Sequence, residues 1–482
     1  MLLLTELRKQ LDTKELSSVE LTKSYLEKIN QNKDLGAFNT VCQDEALAAA
    51  EIADKKIAAG EASALTGIPL AIKDNICTKD IKTTCSSKML AEYAPPYNAT
   101  VMEKLNAQGI VTLGKTSMDE FAMGGSSQTS ALSKPKNPFD TARVPGGSSG
   151  GSAVAVAAGL CAAALGSDTG GSVRQPAAFC GITGMKPTYG TVSRFGLVAF
   201  GSSLDQIGPM ANSAEDCGII LNAIAGQDVH DRTTRRHNID FNSALGKDIK
   251  GLKIGIPKEF YGEGIDAEVK DAVLKVAKFY EEMGAELIEV SMPTLKYAVS
   301  AYYLLACAEA SSNLSRYDGV KYGYRTESPE SYDQLIKKTR AEGFGAEVKR
   351  RILLGTYALS SGYYDAYYKK ALAVRQQFRL EHDEIFNKCD VMLTPTAPTV
   401  AYNIDANIDD PVKMYLADVC TVTANIAGIP AISVPCGVNS EGMPIGFSIS
   451  AKRFDDAKVI QFADAYEKNF SHPTANIKGG KN

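Results

Sequence analysis

One stretch limits the possible folds more than any other. Ser152 to Asp168 reads SAVAVAAGLCAAALGSD: small side chains almost throughout, and no charge before the last residue. Gly150–Gly151 lead into SAVAVAAGL, which fits a small-residue helix. CAAALGSD then fits a strand that delivers the chain into the glycine-rich TGGSVRQPA. Within it, AVAVAAGLCAAAL is also the nearest approach to a membrane span. It is too short for the roughly 20 apolar residues a bilayer needs, and Gly159 breaks it.

The remainder alternates in the same manner, which predicts an α/β protein. Residues 1–60 predict helices: SSVELTKSYLEKINQ opens on serine caps, and DEALAAAEIADKKIAAG ends on glycine. GIPLAIKDNI and GIVTLGKTS predict short buried strands. LKIGIPKEF, DAEVKDAVLKVAKFYEEMGA and ELIEVSM predict a strand–helix–strand unit. From about 297 to 390 the chain predicts helices rich in tyrosine. AISVPCGV and PIGFSIS return to strand, and DDAKVIQFADAYEKNF closes with a helix. Polar stretches near 228–248 and 320–335 predict loops rather than linkers, and the tail KGGKN predicts fraying. Length alone, 482 residues, allows two or three domains.

Composition excludes several classes. A net charge of −4 offers no cationic field to a polyanion, and the densest basic runs, TRRHN and VKRR, are short. The 10 cysteines are scattered without a CxxC pair. That argues against a metal cluster or disulfide framework and for a reducing cytosol. MLLLTELRKQL is no secretory signal, because Glu6 and Arg8 interrupt its apolar run.

Four places offer chemistry. PGGSSGGS contains GxSxG, but a nucleophile elbow needs a preceding strand and a histidine partner. SKPKNPFDTARVP precedes it instead, and the only histidines, His230, His237, His382 and His472, sit in loop-like or surface-helix contexts. Ser133–Lys136 matches SxxK, but Pro135 breaks the helical turn that would join the pair. Lys73 follows an apolar strand. It reads either as a lysine snorkelling to water or as a desolvated amine able to act as a base. In GSDTGGSVRQPAAFCG, Ser172 stands behind two glycines, and Asp168 and Arg174 flank the turn with charges that can pair and brace it. Clustered backbone N–H groups there suit a developing oxyanion, but a nucleophilic serine needs a base, and no histidine is near.

From Gly146 to Ala177, GGSSGGSAVAVAAGLCAAALGSDTGGSVRQPA resembles the amidase signature family along its whole diagnostic segment. The likeness extends from GIPLAIKDNI through SLDQIGPM and, more loosely, over nearly all of residues 1–482. It implies one amidase domain: a large central mixed β-sheet flanked by helices on both faces. It also implies a Ser–Ser–Lys triad, with Ser172 as nucleophile, Ser148 as a bridging serine on a cis peptide bond, and Lys73 as base. The N–H groups of Thr169, Gly170, Gly171 and Ser172 would form the oxyanion hole. Such triads are variants of the Ser–His–Asp logic.

Within that family, MDEFAMGGSSQTS, GMKPTYGTVSRFGLVAFGSSLDQIGPM, EVKRRILLGTYALSSGYYDAYYKKA and LTPTAPTVAY resemble the glutaminase subunits of tRNA-dependent amidotransferases. The resemblance implies hydrolysis of free glutamine, with no cofactor in this chain. Ammonia would pass to a B-type partner that uses ATP and Mg on mischarged tRNA, and a small C-type partner would complete a cytoplasmic heterotrimer. It implies that Arg351 holds the glutamine carboxylate and Asp418 its ammonium. Arg350 is a one-residue rival, and either Tyr302 or Tyr303 is the pocket tyrosine. Two other classes stay open: a stand-alone amidase for small or fatty amides, and a non-catalytic scaffold, against which the complete triad argues.

Overall fold

The computed structural model describes residues 3–236, 239–404, 406 and 411–475, the first three of the last span as backbone only. The tail KGGKN lies outside them.

The strands are β1 Phe38–Val41, β2 Pro69–Lys73, β3 Val111–Thr116, β4 Ala163–Asp168, β5 Thr183–Lys186 and β6 Gln206–Ala211, followed by β7 Lys253–Pro257, β8 Glu286–Val290, β9 Val391–Pro395, β10 Ala431–Val438 and β11 Pro444–Ala451. They form one 11-stranded mixed sheet in the order β1-β3-β2-β4-β6-β5-β10-β11-β9-β7-β8. β2 lies between β3 and β4 and runs parallel to both. A strand so placed is covered on both faces, and PLAIK is buried throughout.

Strand geometry then sorts its side chains. Leu70 and Ile72 enter one apolar core, while Ala71 enters a second core shared with Ala153, Val154 and Val156 of the Gly150–Ala157 helix. With a period of two, Lys73 falls on the side of Ala71, facing the entrance of that helix. The expected small-residue helix and strand are both present, and the chain is buried without interruption from Val144 to Thr188.

Near the N-terminus helices run Leu4–Asp12, Ser18–Gln31 and Gln43–Ala58. Ser17 Oγ accepts from Glu20 N at 3.1 Å, and the Glu20 carboxylate returns to Ser17 N at 2.9 Å, a capping box. The strand β1 interrupts this expected all-helical region. It runs antiparallel to β3 at the sheet edge. β7, the Ala267–Glu282 helix and β8 make the expected strand–helix–strand unit. The tyrosine-rich region holds the helices Ala298–Asn313, Tyr332–Gly343, Ala346–Leu359 and Lys369–Phe386. The first of these packs on the last two.

Candidate active site

Lys73 is completely buried at the end of β2. Its Nζ reaches Ser148 Oγ and Ser149 Oγ at 2.8 Å each and the Ser167 carbonyl at 3.1 Å. It does not snorkel. Burial pushes its amine down to about 7, although Asp119, Asp168 and Asp205 nearby favour the ammonium.

Ser148 follows a cis Gly147–Ser148 peptide bond. Ser149 N donates to the Ser172 carbonyl at 3.1 Å, which ties the two glycine-rich loops together. Lys73 and Ser148 are sealed at 0% exposure, whereas Ser172 keeps 8%. Of the three, only Ser172 is open to an incoming molecule.

The turn after β4 is built around Asp168. Its carboxylate accepts from Gly171 N at 2.7 Å, Val173 N at 3.2 Å, Arg174 Nε at 3.0 Å and Asn425 Nδ2 at 2.8 Å. Burial, the largest single influence, would raise this carboxyl; Arg174, Lys186 and Asn425 together hold the group down at about 2. Arg174 also donates to the Thr421 carbonyl at 3.1 Å and to Asn425 Oδ1 at 2.7 Å. This network corrects one expectation. The Gly171 N–H is committed to Asp168 and is not available to an oxyanion. Among the described residues, no acceptor takes the N–H of Thr169, Gly170 or Ser172. Gly171 has φ 129°, and a Cβ there would run into Thr421. Only glycine fits both demands.

The helical region supplies the facing wall. Both tyrosines of the doublet reach it. The Tyr302 ring lies over Gly170, where a Cβ would strike it. Tyr303 OH donates to Asp418 Oδ2 at 2.8 Å. Asp418 is half-buried, and desolvation pushes its carboxyl up to about 7 against the opposing pull of Tyr303 and Arg351. Arg351 is 2% exposed, with its guanidinium 5.0 Å from the Tyr303 ring, 5.5 Å from Tyr415 and 5.6 Å from Phe200. Its Nε donates to Glu347 at 2.7 Å, while its buried Nη2 has no partner. The Arg350 side chain, 43% exposed, pairs with Glu347 from outside. Of the arginine doublet, Arg351 faces in and Arg350 faces out.

One further contact joins wall and floor. Glu120 Oε2 accepts from Gly345 N at 2.8 Å, at the start of the helix that carries Arg351. The preceding residue, Asp119, gives its own N–H to the Ser148 carbonyl at 3.2 Å.

A family profile described as Amidase matches residues 20–460. The chain belongs to the amidase signature family. This amidase is 56% identical over 467 residues to the A-type subunit of glutamyl-tRNA(Gln) amidotransferase from Caldanaerobacter subterraneus subsp. tengcongensis, covering 96% of each chain. It is 51% identical, with the same coverage, to the protein of that name from Coxiella burnetii strain Dugway. Among solved structures, the corresponding A-type protein from Thermotoga maritima superposes with a TM-score of 0.82 at 41% identity, over 99% of this amidase and 98% of that chain. The native peptide amidase of Stenotrophomonas maltophilia reaches 0.83 at 28% identity, over 99% and 98%.

Other sequence candidates separate from the site. Ser133 and Lys136 lie in irregular chain. His230 stacks on Phe195 at 4.5 Å, and His472 meets Glu467 at 3.2 Å. His382, expected on a surface helix, is 1% exposed in this amidase; Nδ1 lies 2.7 Å from the Phe378 carbonyl, and burial lowers its pKa to about 4. His237 lies outside the described residues. Glu347, Tyr415, Phe200, Thr421 and Asn425 are site neighbours that sequence reasoning misses. Of these, only Glu347 carries a local signal, standing four residues before Arg351 on one helix face. Among the described residues no group of three or more His, Cys, Asp or Glu could hold a metal, and no helix is long and apolar enough to cross a membrane.

Proposed function

We propose that this chain is the glutaminase subunit of a tRNA-dependent amidotransferase. The observation that carries the reading is a pair of opposite charges on either side of one buried tyrosine, Tyr303. Arg351 and Asp418 both touch Tyr303, yet no ion pair joins them. Arg351 keeps a buried, unpartnered Nη2. A buried donor without a partner costs about 1–3 kcal/mol, so a carboxylate that reaches Arg351 Nη2 gains a contact the protein does not itself supply. Free glutamine carries a carboxylate for Arg351 and an ammonium for Asp418. A fatty or aliphatic amide carries neither, and the family's stand-alone reading loses ground there. The names of the relatives support the same assignment.

The chemistry of this reading starts from the Lys73–Ser148 contact. Neutral Lys73 accepts the Ser148 proton as Ser148 accepts that of Ser172. Ser172 Oγ attacks the side-chain amide carbon, and the carbonyl oxygen, now negative, meets the open N–H groups of Thr169, Gly170 and Ser172. One such donor contributes about 3–4 kcal/mol to the transition state. The proton returns through Ser148 to the leaving nitrogen, the C–N bond breaks, and ammonia departs. Water then attacks the acyl-enzyme by the same relay and releases glutamate. Because burial holds Lys73 at about 7, the active neutral amine is lost as the pH falls below that value.

Ammonia serves a partner chain. B-type and C-type partners complete the assembly, and ATP, Mg and mischarged tRNA are handled mainly by the B-type partner, on Glu-tRNA(Gln), Asp-tRNA(Asn) or both. Ten free thiols support a cytoplasmic setting. The test is ammonia release from glutamine against release from simple aliphatic amides, for the chain alone and with its partners. Glutamine preference that rises on assembly is expected. Equal turnover of aliphatic amides overturns the reading.

A further inference from the structure

Three carboxylates, Asp119, Asp168 and Asp205, and the Cys85 thiol favour the charged form of Lys73. Two of them are occupied. Asp168 is bound to Arg174, Asn425 and two backbone N–H groups. Asp205 accepts Thr169 Oγ1 at 2.6 Å, Phe200 N at 2.9 Å and Gly201 N at 3.1 Å. Asp119 differs. Its Oδ1 accepts Thr129 Oγ1 at 2.9 Å and Thr129 N at 3.4 Å, while its buried Oδ2 has no partner in hydrogen-bond geometry. That oxygen lies against Gly147 Cα, in the space a Cβ would fill. The residue therefore brackets the Gly147–Ser148 peptide from both sides, with its carboxylate on Gly147 and its N–H on the Ser148 carbonyl.

We propose that Asp119 is a positioning residue for the lysine base: it fixes Ser148 within reach of Lys73 and supplies a negative charge, paired with no arginine, that Lys73 faces when it becomes an ammonium. This rests on the glutaminase reading above. The physical need is plain. A lysine that shuttles a proton in a dry site visits the charged state once per half-reaction, and an isolated buried cation is costly. A carboxylate tied to an arginine, as Asp168 is, screens it less than one paired with no cation. Asp119 faces Lys73 and, at longer range, Asp418. Burial raises its own carboxyl, while N–H and hydroxyl groups from Ser127 and Thr129 pull it back towards the anion.

Asp119→Asn keeps the shape and removes the charge. In the full-length protein kcat for glutamine is expected to fall about tenfold or more, with KM within about twofold. Loss of an anion lowers the pKa of an amine, so the acid limb of the kcat/KM profile is expected to move down by about half a pH unit or more. Thr129→Val disturbs the same loop but keeps the charge, and its limb is expected to stay in place. An unmoved limb in Asp119→Asn, or an equal shift in Thr129→Val, overturns the proposal. Should the Asn variant not fold, Asp119→Glu displaces the charge without removing it: a shifted limb with lowered kcat supports the assignment, and a wild-type profile overturns it. The glutaminase reading fails separately, if the wild-type protein shows no glutamine turnover at all.

Discussion

Between Val144 and Thr188 every residue is buried, Ser172 keeping 8% exposure, whereas in the Ala346–Leu359 helix Leu353 is 70% exposed while Arg351, two positions away, is 2% exposed. Both regions line the same site. In the first, small side chains and glycines let strands, helix and turns close directly on one another, so the backbone itself sets the chemistry. In the second, a helix shows one face to the pocket and the other outward, and single long side chains set the fit. The lesson is that the reactive groups depend on a continuous stretch of packing, while the substrate contacts depend on the rotation of one helix.

Substitutions can break that contrast or sharpen it. The largest effect is expected from Lys73→Arg. A guanidinium stays protonated across the working pH range, so ammonia release should fall by roughly 10⁴-fold while the protein stays folded by circular dichroism. Considerable residual turnover would show that the relay does not depend on this amine. Next comes Arg174→Ala, which strands buried Asp168 and the Thr421 carbonyl. Unfolding in denaturant should show a loss of about 3–5 kcal/mol, as for other buried pairs broken on one side. A loss under about 1 kcal/mol, no more than a surface pair contributes, would mean the turn is not braced by this pair.

Arg351→Ala should cost stability, because it breaks a buried pair with Glu347, and should lower kcat/KM for glutamine by roughly 100-fold, because it removes the buried cation beside Tyr303. Steady-state kinetics read it directly, and an unchanged value would detach the helix from substrate binding. Arg350→Ala, one residue away and outside, should change kcat/KM by less than about threefold and stability by less than about 0.5 kcal/mol. If the two arginine variants behaved alike, the inside–outside distinction drawn from the helix would fall.

The same contrast explains what is legible in the sequence. The segment from Gly146 to Ala177 is readable because its packing partners are close in sequence and its small residues admit few alternatives. Strand β2 and the role of its last lysine come with it. The pocket is harder, since VKRR gives two adjacent arginines, and about 100° of helical rotation decides which one turns inward. Only the packed fold fixes that rotation. Sequence alone leaves Gly171 with an open N–H because its competitor is a side chain, and Asp168 reaches it through a local turn that glycine content does not reveal. Charged neighbours point His382 to the surface, yet Phe378, His382 and Ile385 share the buried face of one helix at spacings of four and three. The four-residue β1 has too few residues to show a period and exists through its pairing with β3.

The adjacency of Asp119 and Glu120 carries a consequence for anyone who would transplant this pocket. Asp119 is anchored to the Ser148 carbonyl, and Glu120 to the first turn of the Arg351 helix. One peptide unit therefore acts as a gauge block between two separately built parts, holding floor and wall at a set spacing. A foreign helix grafted onto this sheet inherits that tolerance. Unless it presents an N–H where Gly345 does, its new specificity residues will stand at the wrong height above the serine they are meant to serve.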